Sequence, residues 1–519
     1  MAVPPLWSPP VALDAAEEKL LPLCKKAPLF VFLRRVRLDL FDAPFQAQLN
    51  AMYKDSPRGQ PPAPPALLAM ASVLQAATGV SDAEAVRLSA ADRCWQMVLG
   101  TLGSDEPPFC QATLCAFRAR LMAHDLDRAL LERSVAWARE RGGYSYRRLR
   151  AAFDASPLWG CGRVEDTLNL IGHAARDVVR AAAAALGVPE GELARRAGIP
   201  LVAGTSLKAT LDLDWNDAGA LRAGLSALLG QVASLRAFVR AELGAASEGG
   251  PLGAALATLA EVVDQDVEPD PAGGARVRRG VAPERRISVT DGQMRHGRKS
   301  RASRVDGYKR HLAREATSRL ALAAAVTPAN RPEAEAAGAL CEDIERQGLE
   351  LGELDVDRGY VLAKAVTERR AAGLVVRCRA LPLRNGGRFT KADFRLDFEA
   401  AEVTCPAGQR APLAVGTVVR FGRARCAACP LRERCTGSAA GRTLSVHADE
   451  PFLASLRAAE ATPGGRAELR ERTQVEHGLA RVQQTQGDRA RYRGVRKNLL
   501  DLRRHATLHN LYIAMGLAA

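Results

Sequence analysis

Two short apolar, strand-like runs in this chain each stop on an aspartate, at Asp154 and at Asp357, and a long helical stretch lies between them. A sheet that brings both runs together must tolerate a large helical insertion after its first strand. The first run is 147–154, closed by Ala155-Ser156-Pro157. From about 166 to 262 the pattern is helical, with Ala-rich stretches, and 249–275 carries Gly, Pro and Asp like a boundary. Strand texture returns at 307–315 and 320–326 with a tight turn between. A helix at 332–347, a strand at 352–357, a helix at 362–372 and a strand at 374–379 follow.

The order β-β-β-α-β-α-β, with acids at the ends of strands one and four, predicts an α/β (α+β overall) fold. It fits a ribonuclease-H-like mixed sheet with flanking helices. Residues 1–35 read as a Pro-rich tail and 36–143 as an all-helical domain, within which Ser81-Asp82-Ala83-Glu84 marks a helix start. The core is then expected at 144–165 and 276–399, with a helical insertion at 166–275. Residues 400–450 read as a Gly- and Cys-rich insertion and 451–519 as C-terminal helices.

Of the 519 residues 47% are hydrophobic, enough for a substantial core and too many for a disordered chain. The net charge is +15, which favours a polyanionic partner. It is concentrated: 276–315 holds thirteen Arg/Lys against four Asp/Glu, and 481–504 eight against two, so the remainder sums to neutral. Dense runs of one sign predict phosphate-binding tracks rather than a solvated face. No apolar run is long enough for a bilayer, and no secretory signal pattern occurs. Eleven cysteines, an odd number, do not suit a secreted disulfide scaffold. The expectation is a soluble cytoplasmic, nucleoid-associated protein with no membrane partner.

Clustered carboxylates repel unless a cation sits between them, and oxygen-only ligands suit Mg²⁺ (or Mn²⁺). Two such ions can activate a nucleophile and stabilise a leaving oxygen. Asp355 and Asp357 lie two apart and share a strand face, and Glu476 lies on a late helix. Spacing alone does not bring these acids together.

The chain resembles the bacterial insertion-sequence DDE transposases. Asp154-Ala155-Ser156-Pro157 with Gly162-Arg163-Val164-Glu165-Asp166-Thr167 is similar to the family's first catalytic strand. The run from Asp291 to Ser300 and then Asp306-Gly307-Tyr308-Lys309 resembles its basic hairpin. Pro328-Ala329-Asn330 and Asp357-Arg358-Gly359-Tyr360 follow in order. Val475-Glu476-His477, with Ala490-Arg491-Tyr492-Arg493-Gly494 and Lys497-Asn498 downstream, resembles the third-acid helix. The resemblance implies Asp154, Asp357 and Glu476 as a metal-binding triad. Around the glutamate, Arg472 matches the family's arginine, whereas Leu469 and Gln483 stand where a related subgroup has tyrosine and lysine. Two basic tracks are expected to flank the site and grip DNA: Arg295, Arg298, Lys299 and Lys309 on one side, Arg491, Arg493, Arg496 and Lys497 on the other. The helical module 36–143 resembles the family's end-recognition domain.

Cys405, Cys426, Cys429 and Cys435 form C-x20-C-x2-C-x5-C, which suits a closed structural Zn²⁺ site and also admits an iron–sulfur cluster. His447 is a substitute ligand in this reading. Cys24, Cys94, Cys110, Cys115, Cys161, Cys341 and Cys378 are expected to pack as small apolar groups, and Trp95 and Trp159 to be packing residues rather than base-stacking ones. His296 and His477 are expected to serve as hydrogen-bonding partners.

The expected activity is transposition: binding of inverted-repeat ends, metal-dependent phosphodiester cleavage, and strand transfer to target DNA by at least a homodimer. The alternatives are a catalytically silent DNA-binding descendant and a nuclease of the same fold.

Overall fold

A computed structural model describes residues 4–54, 61–144, 148–204, 206–298, 303–471 and 473–517. At its centre β1 spans Arg148–Trp159, β2 Arg295–Arg298, β3 Arg304–Glu315, β4 Ala321–Pro328, β5 Glu350–Val356 and β6 Val375–Arg377. The sheet order is β2-β3-β1-β5-β6, with β4 also on β3. The pairs β1/β3, β2/β3 and β3/β4 are antiparallel, and β1/β5 and β5/β6 parallel. Antiparallel neighbours need only tight turns, whereas parallel neighbours need crossovers. The helices Ala337–Arg346 and Lys364–Ala371 supply those for β5 and β6. Three antiparallel strands followed by two parallel ones make the mixed sheet of a ribonuclease-H-like fold. All of Ala321–Val326 is buried, as a strand covered on both faces requires.

β1 does not end at Asp154 as the sequence pattern predicts; it runs on through Pro157 to Trp159. Its pairing to β5 stops at Phe153, while its pairing to β3 continues to Trp159. Beyond Phe153 it is therefore an edge on one side, where a proline lacking N–H is tolerated. Residues 249–275 are not a plain boundary either. Gly250–Asp266 is a helix, with Pro251 in its first turn where no N–H is needed. A small hairpin, Val267–Pro269 with Ala275–Val277, follows it.

The helices Thr167–Leu186, Ala218–Leu243 and Gly250–Asp266 have an apolar cluster of their own. The N-terminal helices instead share one cluster with the sheet, from Leu33 and Leu68 through Trp137 to Leu354 and Leu508. Residues 395–446 carry two small sheets around Phe394, Val403, Val419, Phe421 and Leu444. The helix Val495–Leu517 is packed between the helix Leu126–Gly142, the helix Pro65–Thr78 and β4. Among the described residues no single helix is long and apolar enough to cross a membrane.

Candidate active site

The last β1/β5 pairs in register are Ala152 with Asp355 and Phe153 with Val356. The next residues along the two strands are Asp154 and Asp357, so the first two expected acids directly follow the last paired residues. Both are half-buried. Asp154 Oδ1 accepts from the Ala155 N–H at 2.8 Å. Asp355, two residues before Asp357, is 2% exposed and held by Arg150 at 2.6 Å. That ion pair separates the two aspartates by role: Asp355 is neutralised inside the sheet, and Asp357 stands where β5 has ended.

A cavity of about 230 Å³ opens beside Asp357, lined also by Ser156, Pro157, Arg298, Lys309 and Glu333. Sequence reasoning missed Glu333. Burial pushes its carboxyl up, Lys309 opposes, and Asp357 pushes it further. Gly359, two residues past Asp357, lies so close to the Glu333 carboxylate that a Cβ there would sit 2.1 Å from Oε2. The only sequence signal was its place five residues after Pro328.

Behind the acids, His311 is wholly buried between the Tyr360 hydroxyl at 2.6 Å and Thr327 Oγ1 at 2.8 Å. Burial, aided by Lys309, pushes its pKa down to about 3, so it is a neutral packing group beneath the site. Arg310 is also fully buried, and burial pushes it down to about 10. Its guanidinium donates to Ser156 Oγ at 2.7 Å, Gln486 Oε1 at 2.8 Å and the Gly487 carbonyl at 2.9 Å. It thereby ties β1 to the end of the helix Thr473–Gln486, whose backbone carries Glu476. The side chains of Glu476 and His477 lie outside the described residues, as do Arg472 and Lys299.

The two basic stretches do meet. The Gly494 N–H donates to the Tyr308 hydroxyl at 3.0 Å and to Asp291 Oδ1 at 3.2 Å, and the Val495 N–H to Gln293 Oε1 at 2.7 Å. Trp159 and Asp488 to Ala490 are joined by backbone bonds at the far end of β1. Four of the cations expected to face DNA are, however, engaged internally. Arg295 donates to the Gly292 and Met294 carbonyls at 2.7 and 3.0 Å. Lys309 donates to the Arg331 carbonyl at 2.8 Å but still lines the cavity. Arg491 donates to the Val80 carbonyl, and Arg496 pairs with Asp127. Arg503 and Arg504, in the same run, are buried in ion pairs. Arg298, Arg493 and Lys497 are exposed. Sequence spacing could not foresee this for Arg491 and Arg496, whose partners lie in distant segments.

The four cysteines line one small cavity of about 30 Å³ with Arg425, Arg432 and Arg442. Turns shape it: the Gly408 N–H donates back to the Cys405 carbonyl, and the Arg432 N–H to that of Cys429. Burial pushes the Cys435 thiol up; Arg442 opposes, and Cys426, Cys405 and Cys429 add to the rise. Four converging thiols fit a tetrahedral metal in donor type and number. Among the described residues, no three His, Cys, Asp or Glu side chains are drawn together closely enough to hold an ion as they stand. His447 is exposed and outside this cavity; its Nδ1 accepts from the Asp449 N–H at 3.0 Å. Trp95 is buried, but Trp159 is 42% exposed, and Cys110 and Cys115 are exposed rather than packed. His296 holds Asp306 at 2.6 Å, as a hydrogen-bonding partner should.

A ribonuclease-H-like sheet with Asp154 in β1 and Asp357 just beyond the end of the neighbouring β5 defines a class of proteins that work on nucleic acids. Comparison with known families narrows this. A transposase DDE domain matches residues 275–382, another transposase DDE domain matches 404–513, and a transposase domain (DUF772) matches 21–120. The chain belongs to the insertion-sequence DDE transposases. No curated protein and no solved structure matches it.

Proposed function

We propose that this transposase binds the inverted-repeat ends of its own element, cuts phosphodiester bonds there and joins the exposed 3′-hydroxyls to target DNA. The observation that supports this reading is the β1/β5 register, in which Phe153 pairs with Val356, the residues directly before Asp154 and Asp357. With Glu476 from the helix Thr473–Gln486, these residues would hold Mg²⁺ or Mn²⁺. When bound, the metal supplies activation of the attacking oxygen and stabilisation of the leaving one. Asp154 and Asp357 orient the reacting phosphate. Arg298 and Lys309 on the cavity wall attract and position the DNA backbone. No covalent enzyme–DNA intermediate is called for. Pairing of two ends requires at least two copies of the chain in the complex, in the nucleoid. Cys405, Cys426, Cys429 and Cys435 would hold a structural Zn²⁺.

Asp154→Asn, Asp357→Asn and Glu476→Gln are each expected to abolish cleavage of end DNA, with end binding changed less than about threefold, about 0.7 kcal/mol. Cleavage at the wild-type rate by Asp357→Asn would remove the assignment.

A further inference from the structure

Internal pairing consumes part of the charge in the two basic runs, and a further positive surface lies outside them. Residues 379–442 hold twelve Arg/Lys against five Asp/Glu, and eleven of the twelve are arginine. In the sequence this excess is hidden by acidic segments outside it. Arg379, Arg384, Arg395, Arg420, Arg423 and Arg425 are exposed. Their side chains make no ion pair or hydrogen bond with any described residue.

The fold gathers these cations around the cysteine cavity. Arg420 ends the strand Val418–Arg420, and Gly422 then turns the chain into the short helix Arg423–Ala427, which bears Arg423, Arg425 and Cys426. Arg425 and Arg432 line the cavity wall. Across the three-stranded sheet, Arg395 and Arg410 flank Thr404, the residue before Cys405. Glu402, at the other end of the same sheet, pairs with Arg410 at 3.4 Å, so Arg395 is the cation that this sheet offers beside the cysteines. Arg434 lies 4.8 Å over the Phe389 ring, which fixes it without neutralising it. This surface is joined to the catalytic edge: Arg358, next to Asp357, donates to the Ala380 carbonyl at 2.8 Å, where the chain leaves β6 for the cysteine region.

We infer that the arginine face of the cysteine region, centred on Arg420, Arg423 and Arg425, is a duplex-DNA backbone-binding surface that extends the grip on DNA beyond the Asp154/Asp357 site. This rests on the transposase reading above. Guanidinium forks match phosphate oxygens in pairs, and such contacts hold DNA without reading its sequence. A lipid surface fits poorly, because the two helices here have only five and four residues and present no apolar face.

The test uses the full chain with Arg420→Ala, Arg423→Ala and Arg425→Ala combined. Binding of fluorescent duplexes, one with the element end and one of arbitrary sequence, is followed across salt concentrations. The slope of log affinity against log salt should become shallower by about two to three units, and affinity should fall by roughly tenfold or more for both duplexes alike. A control of equal charge change, Arg195→Ala, Arg222→Ala and Arg240→Ala on the insertion helices, should leave the slope unchanged. The corresponding triple Arg→Lys variant should keep the slope, which guards against a folding defect. An unchanged slope in the Ala variant, or the same change in the control, overturns the inference. So does loss of binding to a single-stranded RNA probe while DNA binding is kept. Absence of DNA binding by the wild-type protein would instead overturn the reading on which it rests.

Discussion

Asp355 and Asp357 differ little as letters in a sequence, and their surroundings separate them. Arg150 satisfies Asp355 within the sheet, which leaves Asp357 at the strand end with space in front of it. Glu333 shares that space. Its carboxyl is raised by burial and by Asp357, and it rests against the backbone of the Asp357–Tyr360 turn. Glu333→Gln is expected to leave DNA binding intact, lower single-turnover cleavage by about tenfold, a barrier increase of about 1.4 kcal/mol, and shift the metal dependence to higher concentration. Wild-type rate and metal dependence in that variant would show that Glu333 only packs.

At the scale of elements, the helix Val495–Leu517 reads as a basic helix and serves as a core one. Its arginines reach carboxylates on other elements: Arg503 meets Asp125 at 2.7 Å and Asp127 and Asp343 at 3.2 Å. A guanidinium buried with several carboxylates locks elements together, and losing one partner costs about 3–5 kcal/mol. A charge count along the chain cannot separate such an arginine from a DNA-contacting one. The cysteine region is the opposite case: its ligand pattern is local, and the structure folds the four thiols into one cavity. Purified protein is expected to carry about one zinc per chain, as a four-thiolate site implies. Cys429→Ser should lose that zinc and lower the melting temperature, with the Mg²⁺ dependence of cleavage unchanged. Iron in place of zinc, or a metal-free sample that is folded and active, would refute the zinc site.

For the whole molecule, three buried histidines set an acid limit. Burial pushes His311 down to about 3, and His505 and His509 down to about 4. Each is neutral when folded and takes a proton near 6.5 when unfolded. In the window from about 6.5 down to 4 the unfolded state binds more protons, so stability falls as pH falls. One pH unit below 6.5 costs about 1.4 kcal/mol per histidine, or about 4 kcal/mol for the three. Urea unfolding should show a clear fall in midpoint between pH 7 and pH 5.5. A midpoint that does not change over that range would place these imidazoles in contact with solvent.

The sequence by itself determined the order of β1, β3, β4, β5 and β6 with their helices, Asp357 at the end of its strand and the cysteine spacing. Each of these is a local pattern of apolar alternation, turn residues and ligand spacing, written in neighbouring positions. It also carried the family resemblance, through motifs in order along the chain. Only the tertiary structure decided which charges are free. Arg310 meets Gln486, Arg496 meets Asp127 and Arg504 meets Gln75, pairs separated by 176, 369 and 429 residues. A cation's fate depends on what packs against it, and no local window holds that information. For the same reason Glu333 entered the cavity and Arg310, Arg314, Arg503 and Arg504 left the surface.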